Sequence, residues 1–467
     1  MYQVPEEYYF RLHHPRPRFK NDVENVLIYL AHEICTLGQM PKDEFKTSLN
    51  NCIRNYPGNC DKVQKTIDNW RTEIDALFCL TLHNDETISP SLRAHELSET
   101  QDLVRFFKYF CYFFQYPGGF LKPHMNIAVI NMDISFRPAV YIGGLLQHIE
   151  NLEGRRAGIN KAEATHIIFN DLRVTRDNRS YEETWALIEE NRVNNLGYNW
   201  SGDVIRYAGD ILDYMTLANI LVDRPNGNFY LNRNEDLAIE RFIQHTDNFD
   251  CSQYITTSIR AIKKEFDALR YNWERYVNTP IEEGFFDTDI IALVAHDETD
   301  YQNLTRAITE FQETPDNTAH QIGDFGENLI LHHERKRISN EGRPDLQHLI
   351  NKIPNAFAVG YDILSREISE IHRYIEVKTT ASTNAIQFLR FHMTTNEWSA
   401  AETLGTRYMV YRLLVSRDTL RLIIIKDPVQ KYRDELLVIT PRNGMDITFE
   451  IENCAEEAQL LLEREGN

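Results

Sequence analysis

The 467 residues of the chain exceed what one ordinary hydrophobic core requires, so the length predicts two to four domains. Hydrophobic residues at 42% and charged residues at 26% are typical of globular proteins, which excludes a largely disordered chain. The net charge of −20 argues against a protein that coats nucleic acid without specificity, because such binding depends on lysine and arginine.

Residues 1–118 are predicted to form a helical N-terminal domain. The segments DVENVLIYLAHEICTLG, CDKVQKTIDNWRTEIDALFCLTLH and ETQDLVRFFKYFCYFFQY carry apolar residues at three- and four-residue spacing. The turn from Tyr116 to Gly119 interrupts this pattern and marks the end of the predicted domain.

The sequence predicts a cytoplasmic protein without membrane contact. No apolar run reaches the length of about 18 residues that a membrane helix needs, and the first residues lack the apolar core of a secretory signal. Seven scattered cysteines without a CxxC pair predict reduced thiols rather than a zinc site or a disulfide framework.

Residues 119–245 are predicted to hold two successive winged-helix-like modules. Short helices and brief apolar segments alternate up to the helix around SYEETWALIEENRV, and the next helix is predicted to run through Leu221. The pair Asn226 and Gly227, set between two apolar runs, then predicts a β-hairpin. A long helix and an irregular acidic stretch follow, and residues 246–310 are therefore predicted to be a helical linker.

Residues 311–467 carry the pattern that suggests chemistry. A predicted helix at 321–333 presents Glu327, and a predicted buried strand, AFAVGYDILSRE, contains Asp362. After a short polar loop, the strand RYIEVKTT contains Glu376 and Lys378, which lie on one face because side chains alternate along a strand. Two strands joined by this loop would bring Asp362 close to Glu376 and Lys378.

Charged residues are seldom buried without partners, so this group predicts a metal site. Asp362 and Glu376 offer the oxygen ligands that Mg²⁺ prefers, and Mn²⁺ is an alternative. Lys378 would orient or deprotonate water, or neutralise phosphate, and Glu327 would complete the site. Residues 320–430 contain 14 Lys and Arg against 13 Asp and Glu, so the acidic excess lies elsewhere.

Four ordered motifs in this region, GYDI, IEVKTT, TNEWSAA and YMVYRLL, resemble the domain of unknown function 3883, a branch of the PD-(D/E)XK nucleases related to the Mrr-like restriction enzymes. The resemblance implies a central mixed sheet, Mg²⁺-dependent DNA cleavage, and catalytic roles for Asp362, Glu376 and Lys378, with Glu327 as the helix acid. A literal ProAsp also occurs at Asp345, but its neighbours are typical of a loop, so Asp362 is preferred.

The order of parts resembles certain type IIS restriction enzymes, in which winged-helix modules read the site and a nuclease cuts beside it. In such modules a helix enters the major groove of double-stranded DNA. The basic residues expected to contact DNA are Arg155, Arg156, Lys161, Arg173, Arg176, Arg179 and Arg390. Solvation of surface loops is the alternative role for these side chains.

The expected architecture is an α+β multidomain protein whose C-terminal domain is a PD-(D/E)XK restriction-endonuclease-like α/β fold with a mixed sheet. The expected function is a Mg²⁺-dependent DNA endonuclease of restriction or antiphage-defence type. One site per chain cuts one strand, so double-strand cleavage predicts at least transient homodimers on DNA. The alternatives are a nuclease effector subunit activated by a defence-system partner, a DNA-binding regulator with an inert nuclease fold, and a salt-bridged sheet without chemistry.

Overall fold

The computed structural model describes residues 1–12, 16–120, 122–201, 203–245, 247–251, 259–282, 284–295, 298–309, 322–354, 357–386, 389–417, 419–442 and 444–462. The chain forms two compact units: the first comprises Met1–Ser98 and Leu103–Phe286, and the second Glu99–Asp102 and Asp287–Asn467. The predicted boundaries at 118 and 245 fall inside the first unit, whereas the one at 310 lies outside the described residues. None of the described helices is long and apolar enough to cross a membrane, and the cysteines are free thiols.

Helices dominate the chain up to Phe286. They are α1 (Val23–Leu37), α2 (Lys42–Asn55), α3 (Gln64–Ala76), α4 (Leu92–Thr100), α5 (Leu103–Phe113), α6 (Pro123–Asn131), α7 (Pro138–Glu153), α8 (Lys161–Glu163), α9 (Leu172–Thr175), α10 (Tyr181–Val193), α11 (Asp203–Leu217), α12 (Asp236–Gln244) and α13 (Ile259–Val277). In α1, Val26, Leu30 and Ile34 recur every fourth residue and are fully buried. Burying each such side chain stabilises the unit by roughly 1.5–3 kcal/mol.

The first unit contains small antiparallel sheets of one topology. Among the described residues, β1 (Met40–Pro41), β2 (Thr81–His83) and β3 (Thr87–Pro90) pair in the order β1-β3-β2. The strands β4 (Gly158–Ile159), β5 (Leu221–Asp223) and β6 (Phe229–Leu231) pair in the order β4-β6-β5. In each case a helix precedes the first strand, further helices follow it, and a hairpin completes the sheet.

This repeated arrangement lies elsewhere than the sequence predicts. Only one such sheet is described within 119–245, because β4 of the first predicted module pairs with β6 of the second. The other lies in residues 1–118, for which the sequence predicts a mainly helical domain. The strands of both sheets have two to four residues each, which is too short for an alternating apolar pattern to reveal.

The β-hairpin predicted at Asn226 and Gly227 is confirmed. Strands β5 and β6 pair antiparallel, and Gly227 adopts a φ of +78° at the tip. The side chain of Asn226 accepts a hydrogen bond of 3.0 Å from the backbone of Asn228, which closes the loop. The preceding helix α11 ends at Leu217, four residues before the predicted end.

Helix α13 belongs to the core of the first unit, although residues 246–310 are predicted to be a linker. Leu269, Trp273 and Val277 recur at four-residue spacing and are buried. On the same helix, Glu274 is fully buried and its Oε2 lies 3.0 Å from Nδ1 of His83. An amphipathic helix of this kind buries its apolar face, which a solvated linker does not do.

The second unit is built around a mixed sheet, as predicted. Its helices are α14 (Ile290–Val294), α15 (Glu298–Thr309), α16 (Ile322–Asn340), α17 (Thr395–Leu404), α18 (Pro428–Arg433) and α19 (Ile451–Cys454). Its strands are β7 (Asn351–Lys352), β8 (Ile363–Arg366), β9 (His372–Ala381), β10 (Arg390–Met393), β11 (Tyr408–Ser416), β12 (Thr419–Lys426), β13 (Leu437–Arg442), β14 (Gly444–Phe449) and β15 (Glu456–Ala458).

The described strands form a six-stranded sheet in the order β15-β12-β11-β9-β8-β7 and a smaller sheet in the order β10-β14-β13. In the larger sheet β9 and β11 are parallel and the other neighbours are antiparallel. Apolar clusters cover both faces of the larger sheet. Ile375 and Ile363 pack with α16 on one face, while Tyr408 and Val410 pack with α17 on the other.

Candidate active site

Asp362 lies directly before β8, at the point where this strand meets β9. Its backbone N–H donates to Ile375 at 2.9 Å, and its carbonyl accepts from Ile353 at 2.7 Å. Its carboxylate Oδ2 accepts a 2.7 Å hydrogen bond from the backbone N–H of Val377. The predicted pair of strands is confirmed, although β8 begins one residue after Asp362. Both backbone and side chain therefore fix this carboxylate.

Gly360 allows the turn that leads to Asp362. Its φ of +81° is a conformation that residues with a Cβ rarely adopt, and a Cβ here would lie 2.8 Å from the carbonyl oxygen of Asn396. The hydroxyl of Tyr408 donates to the Gly360 carbonyl at 2.8 Å, and Asn396 Nδ2 donates to the Ala358 carbonyl at 2.6 Å. Helix α17 and strand β11 thus hold this turn in place.

Glu376 and Lys378 lie on the same face of β9, as predicted from strand alternation. The opposite face carries Ile375 and Val377, which pack toward α16. Glu376 is only 3% exposed, and its Oε1 lies 2.7 Å from Nζ of Lys378. Because Ile363 pairs with Ile375, the preceding Asp362 comes beside Glu376. The structure therefore brings these three predicted residues together.

Glu397 is a part of this cluster to which the sequence assigned no role. It is the third residue of α17, and its Oε2 lies 2.9 Å from Nζ of Lys378. The same carboxylate accepts the backbone N–H of Thr394 at 3.0 Å, which completes a capping box. The Thr-x-x-Glu spacing could have located the helix start, but only the folded sheet shows that its glutamate meets Lys378.

Glu327 approaches the cluster from α16. Gly326 lets the helix come close to β9, since a Cβ there would collide with the side chain of Thr379. Nζ of Lys352, on β7, lies 2.6 Å from Glu327 and 3.0 Å from Asp324. No sequence motif pointed to Lys352, which comes into range only through the pairing of β7 with β8.

Three carboxyl groups of this cluster, those of Glu327, Asp362 and Glu376, have raised pKa values. Burial, together with the nearby charge of Asp362, raises the pKa of Glu327 to about 7. Burial also raises the pKa of Asp362, and burial with the charge of Asp362 raises that of Glu376 well above its ordinary range. Burial alone would lower the pKa of Lys378, but Glu376 and Glu397 raise it above its ordinary value. A site that crowds buried carboxylates in this way suits a cation.

The donor set fits a hard divalent cation. Asp362, Glu376 and Glu327 supply carboxylate oxygens, and the pKa of each is raised by burial even though Lys378 and Lys352 lie nearby. Asp345, by contrast, is exposed and forms a 2.8 Å ion pair with Arg343 on a 3-10 turn, Pro344–Leu349. It therefore stays outside the cluster, as the sequence predicts.

Each basic residue predicted to contact DNA forms an ion pair with a carboxylate. The pairs are Arg155 with Glu153 (2.7 Å) and Glu189 (3.1 Å), Arg156 with Glu150 (3.2 Å), Lys161 with Asp213 (2.7 Å), Arg173 and Arg179 with Asp171 (2.7 and 3.0 Å), Arg176 with Asp177 (2.6 Å) and Arg390 with Asp446 (2.5 Å). The side chains of Arg179 and Arg390 are only 9% and 12% exposed, so their geometry favours a structural role. DNA contact by this set stays a prediction.

Comparisons with known proteins match both units. A family model described as "Restriction endonuclease BpuJI - N terminal" matches residues 2–274, more than half of the chain. A model described as "Protein NO VEIN, C-terminal" matches residues 326–425, which include Glu327, Asp362, Glu376, Lys378 and Glu397. No curated protein matches the chain.

A solved structure is also similar to part of the chain. It is titled "Crystal structure of pyrene- and phenanthrene-modified DNA in complex with the BpuJ1 endonuclease binding domain". The TM-score is 0.53 at 26% sequence identity, and the match covers 59% of this chain and 100% of that chain. The matched family and the matched structure thus concern the same restriction enzyme.

Proposed function

The chain belongs to the family of the N-terminal domain of the restriction endonuclease BpuJI, and on that premise we propose that it is a Mg²⁺-dependent DNA endonuclease. The first unit would bind double-stranded DNA and the second would hydrolyse it. In this proposal the second unit is a PD-(D/E)XK nuclease domain of Mrr type, similar to the domain of unknown function 3883.

DNA binding by the first unit is supported by its family and by its architecture. The similar solved structure is, by its title, a complex of the BpuJ1 endonuclease binding domain with modified DNA. The first unit also repeats an arrangement of helices followed by a short hairpin, in residues 23–90 and 138–231. Motifs that present one helix to the major groove read base edges with a few side chains.

Catalysis by the second unit is proposed from one observation: Asp362, Glu376 and Lys378 converge where β8 and β9 meet. Asp362 and Glu376 would hold the metal, with Glu327 completing the set. When bound, Mg²⁺ (or Mn²⁺) supplies positive charge at the scissile phosphate and makes water a better nucleophile. Burial and mutual repulsion raise the pKa values of these carboxylates, and a bound cation would stabilise their ionised forms.

Lys378 acts in this proposal as a hydrogen-bond donor rather than as a base. Glu376 and Glu397 raise the pKa of its ammonium, which therefore stays protonated near neutral pH. Its donors can stabilise the negative charge that grows on the phosphate oxygens during attack. Glu397 acts through Lys378, because it accepts from the ammonium at 2.9 Å and fixes its direction.

The biological role proposed is cytoplasmic restriction or antiphage defence. A chain with one catalytic cluster cuts one strand at a time, so cleavage of both strands would require two copies on DNA. A defence-system partner that activates the nuclease is the alternative way in which cutting would be controlled.

Incubation of the full chain with methylated and unmethylated plasmid tests the proposal. We expect nicked or linear DNA with Mg²⁺ or Mn²⁺ and intact plasmid with EDTA or with Glu376→Gln. Sequencing of the ends would give the site and its methylation dependence. DNA binding without cleavage, equal in wild type and Glu376→Gln, would instead identify an inert DNA-binding regulator. Cleavage only after a partner is added would identify an effector subunit.

A further inference from the structure

The catalytic face of β9 continues past Glu376 into a group of aromatic and basic side chains. Alternation along the strand places His372, Tyr374, Glu376 and Lys378 on one face. Tyr374 is two residues from Glu376, about 7 Å along the strand, and His372 is about 13 Å away. We name Tyr361, Arg366, His372, Tyr374 and Arg407 the aromatic-basic track.

The members of the aromatic-basic track contact one another. The rings of Tyr361 and Tyr374 lie 4.9 Å apart, and His372 stacks on Tyr374 at 5.8 Å. The guanidinium of Arg407 lies over the Tyr374 ring at 5.5 Å. Arg366 pairs with His372 across β8 and β9, so their side chains share this face. Arg407 is exposed and the other four are partly exposed, so the track is open to a ligand.

The arginines of the track differ from those that the sequence predicted to contact DNA. Arg366 and Arg407 form no ion pair in the part of the chain that the structure describes, whereas each predicted residue faces a carboxylate. Their positive field reaches His372, whose pKa is lowered by burial and by these two arginines. Positive charge that no carboxylate compensates attracts an anion.

We propose that the aromatic-basic track binds the DNA strand that leads into the catalytic cluster, with Arg366 and Arg407 on its phosphates and Tyr361 and Tyr374 against its bases or sugars. Nucleic-acid grooves of this composition combine cations for the backbone with rings on which bases stack. The track lies on the face that carries Glu376 and Lys378, so a strand held there is aligned with the proposed site of cleavage. This inference rests on the proposed function and adds the surface that positions its substrate.

Binding measured without turnover tests the track separately from the nuclease. The full chain, with Ca²⁺ in place of Mg²⁺, is titrated against a labelled duplex at several salt concentrations. The double variant Arg366→Gln with Arg407→Gln should bind roughly tenfold or more weakly, and the slope of log affinity against log salt should fall by about two. Arg421→Gln is the matched control, because this partly exposed arginine of β12 is paired with Glu457 at 2.8 Å. It should stay within about twofold of wild type.

The ring contact is tested by Tyr374→Leu, which should weaken binding about fivefold or more, whereas Tyr374→Phe keeps the ring and should restore it. Thermal melting of each variant verifies folding, and the exposed Arg407 keeps the test valid if a Tyr374 variant unfolds. Unchanged affinity and salt slope in the double arginine variant would overturn the track. A wild-type chain that binds through the track but never cuts with Mg²⁺ would overturn the nuclease proposal alone.

Discussion

Buried charged side chains are arranged differently in the first unit and at the candidate site of the second unit. In the first unit buried charges meet opposite charges: Nζ of Lys108 lies 2.8 Å from Glu235, and both are buried. In the second unit Asp362, Glu376 and Glu327 crowd together, and their pKa values rise. Paired buried charges fit a structural role, whereas uncompensated like charges cost free energy and mark a place where chemistry is expected.

The largest expected effect is at the crowded carboxylates. Asp362→Asn should reduce the cleavage rate about a thousandfold or more, a loss of about 4 kcal/mol of transition-state stabilisation, because it removes a charge that would hold the proposed metal. Initial rates of plasmid cleavage at one Mg²⁺ concentration measure the effect.

Asp345→Asn is the matched control for Asp362→Asn. This exposed side chain pairs only with Arg343 in the described residues, so its variant should cut within about tenfold of wild type. Thermal melting verifies that both variants fold. If Asp345→Asn lost more activity than Asp362→Asn, the assignment of the active-site aspartate to Asp362 would be wrong.

The next effect concerns the positioning of Lys378. Glu397→Gln removes a charge-assisted hydrogen bond, which is worth about 1.5–3 kcal/mol, so kcat should fall roughly 10- to 100-fold with little change in KM. Glu402→Gln on the same helix is the control, since the exposed Glu402 accepts only from Trp398 at 3.2 Å in the described residues. A higher KM with an unchanged kcat would show that Glu397 does not act through Lys378.

Two glycines, one from each unit, extend the contrast to the backbone. Gly360→Ala places a Cβ on a backbone with a left-handed φ, and this Cβ would collide with Asn396. The variant should therefore destabilise the protein by about 2–4 kcal/mol and reduce cleavage, because Asp362 would move. Gly227→Ala meets open space at the hairpin tip and should cost only about 1 kcal/mol. Urea unfolding compares the two variants, and equal losses would contradict the proposed close packing at Gly360.

The smallest effect is a pH dependence in the first unit, at the buried carboxyl of Asp210. Burial raises its pKa to about 6, and Arg16 and Lys20 lie 3.7 Å away, too far to compensate. A carboxyl whose folded pKa exceeds its unfolded value of about 4 stabilises the fold at low pH, and this stability is lost as pH rises through 6. Between pH 7 and pH 5 the wild type should gain about 1 kcal/mol relative to Asp210→Asn. Urea unfolding at both pH values measures this difference, and parallel pH profiles of the two proteins would contradict it.

The sequence by itself determined the local features of the candidate site. An apolar run into Asp362, a short polar loop and the alternating strand RYIEVKTT identified β8 and β9 and the common face of Glu376 and Lys378. The pair Asn226 and Gly227 identified its hairpin for the same reason. These features depend on residues close in sequence, where side-chain alternation and turn preference act directly.

Only the tertiary structure decided which distant residues meet. It paired β4 with β6 across some 70 residues and buried α13 in the first unit. It also set Glu397 and Lys352 beside the candidate site and gave each predicted DNA-contacting arginine a carboxylate. Strands of two or three residues are too short for their apolar pattern to predict which strands they pair with. The sequence also does not show whether an arginine forms an ion pair. Such contacts join residues that are far apart in sequence, and they form only when the whole hydrophobic core packs. No short stretch of sequence determines that packing.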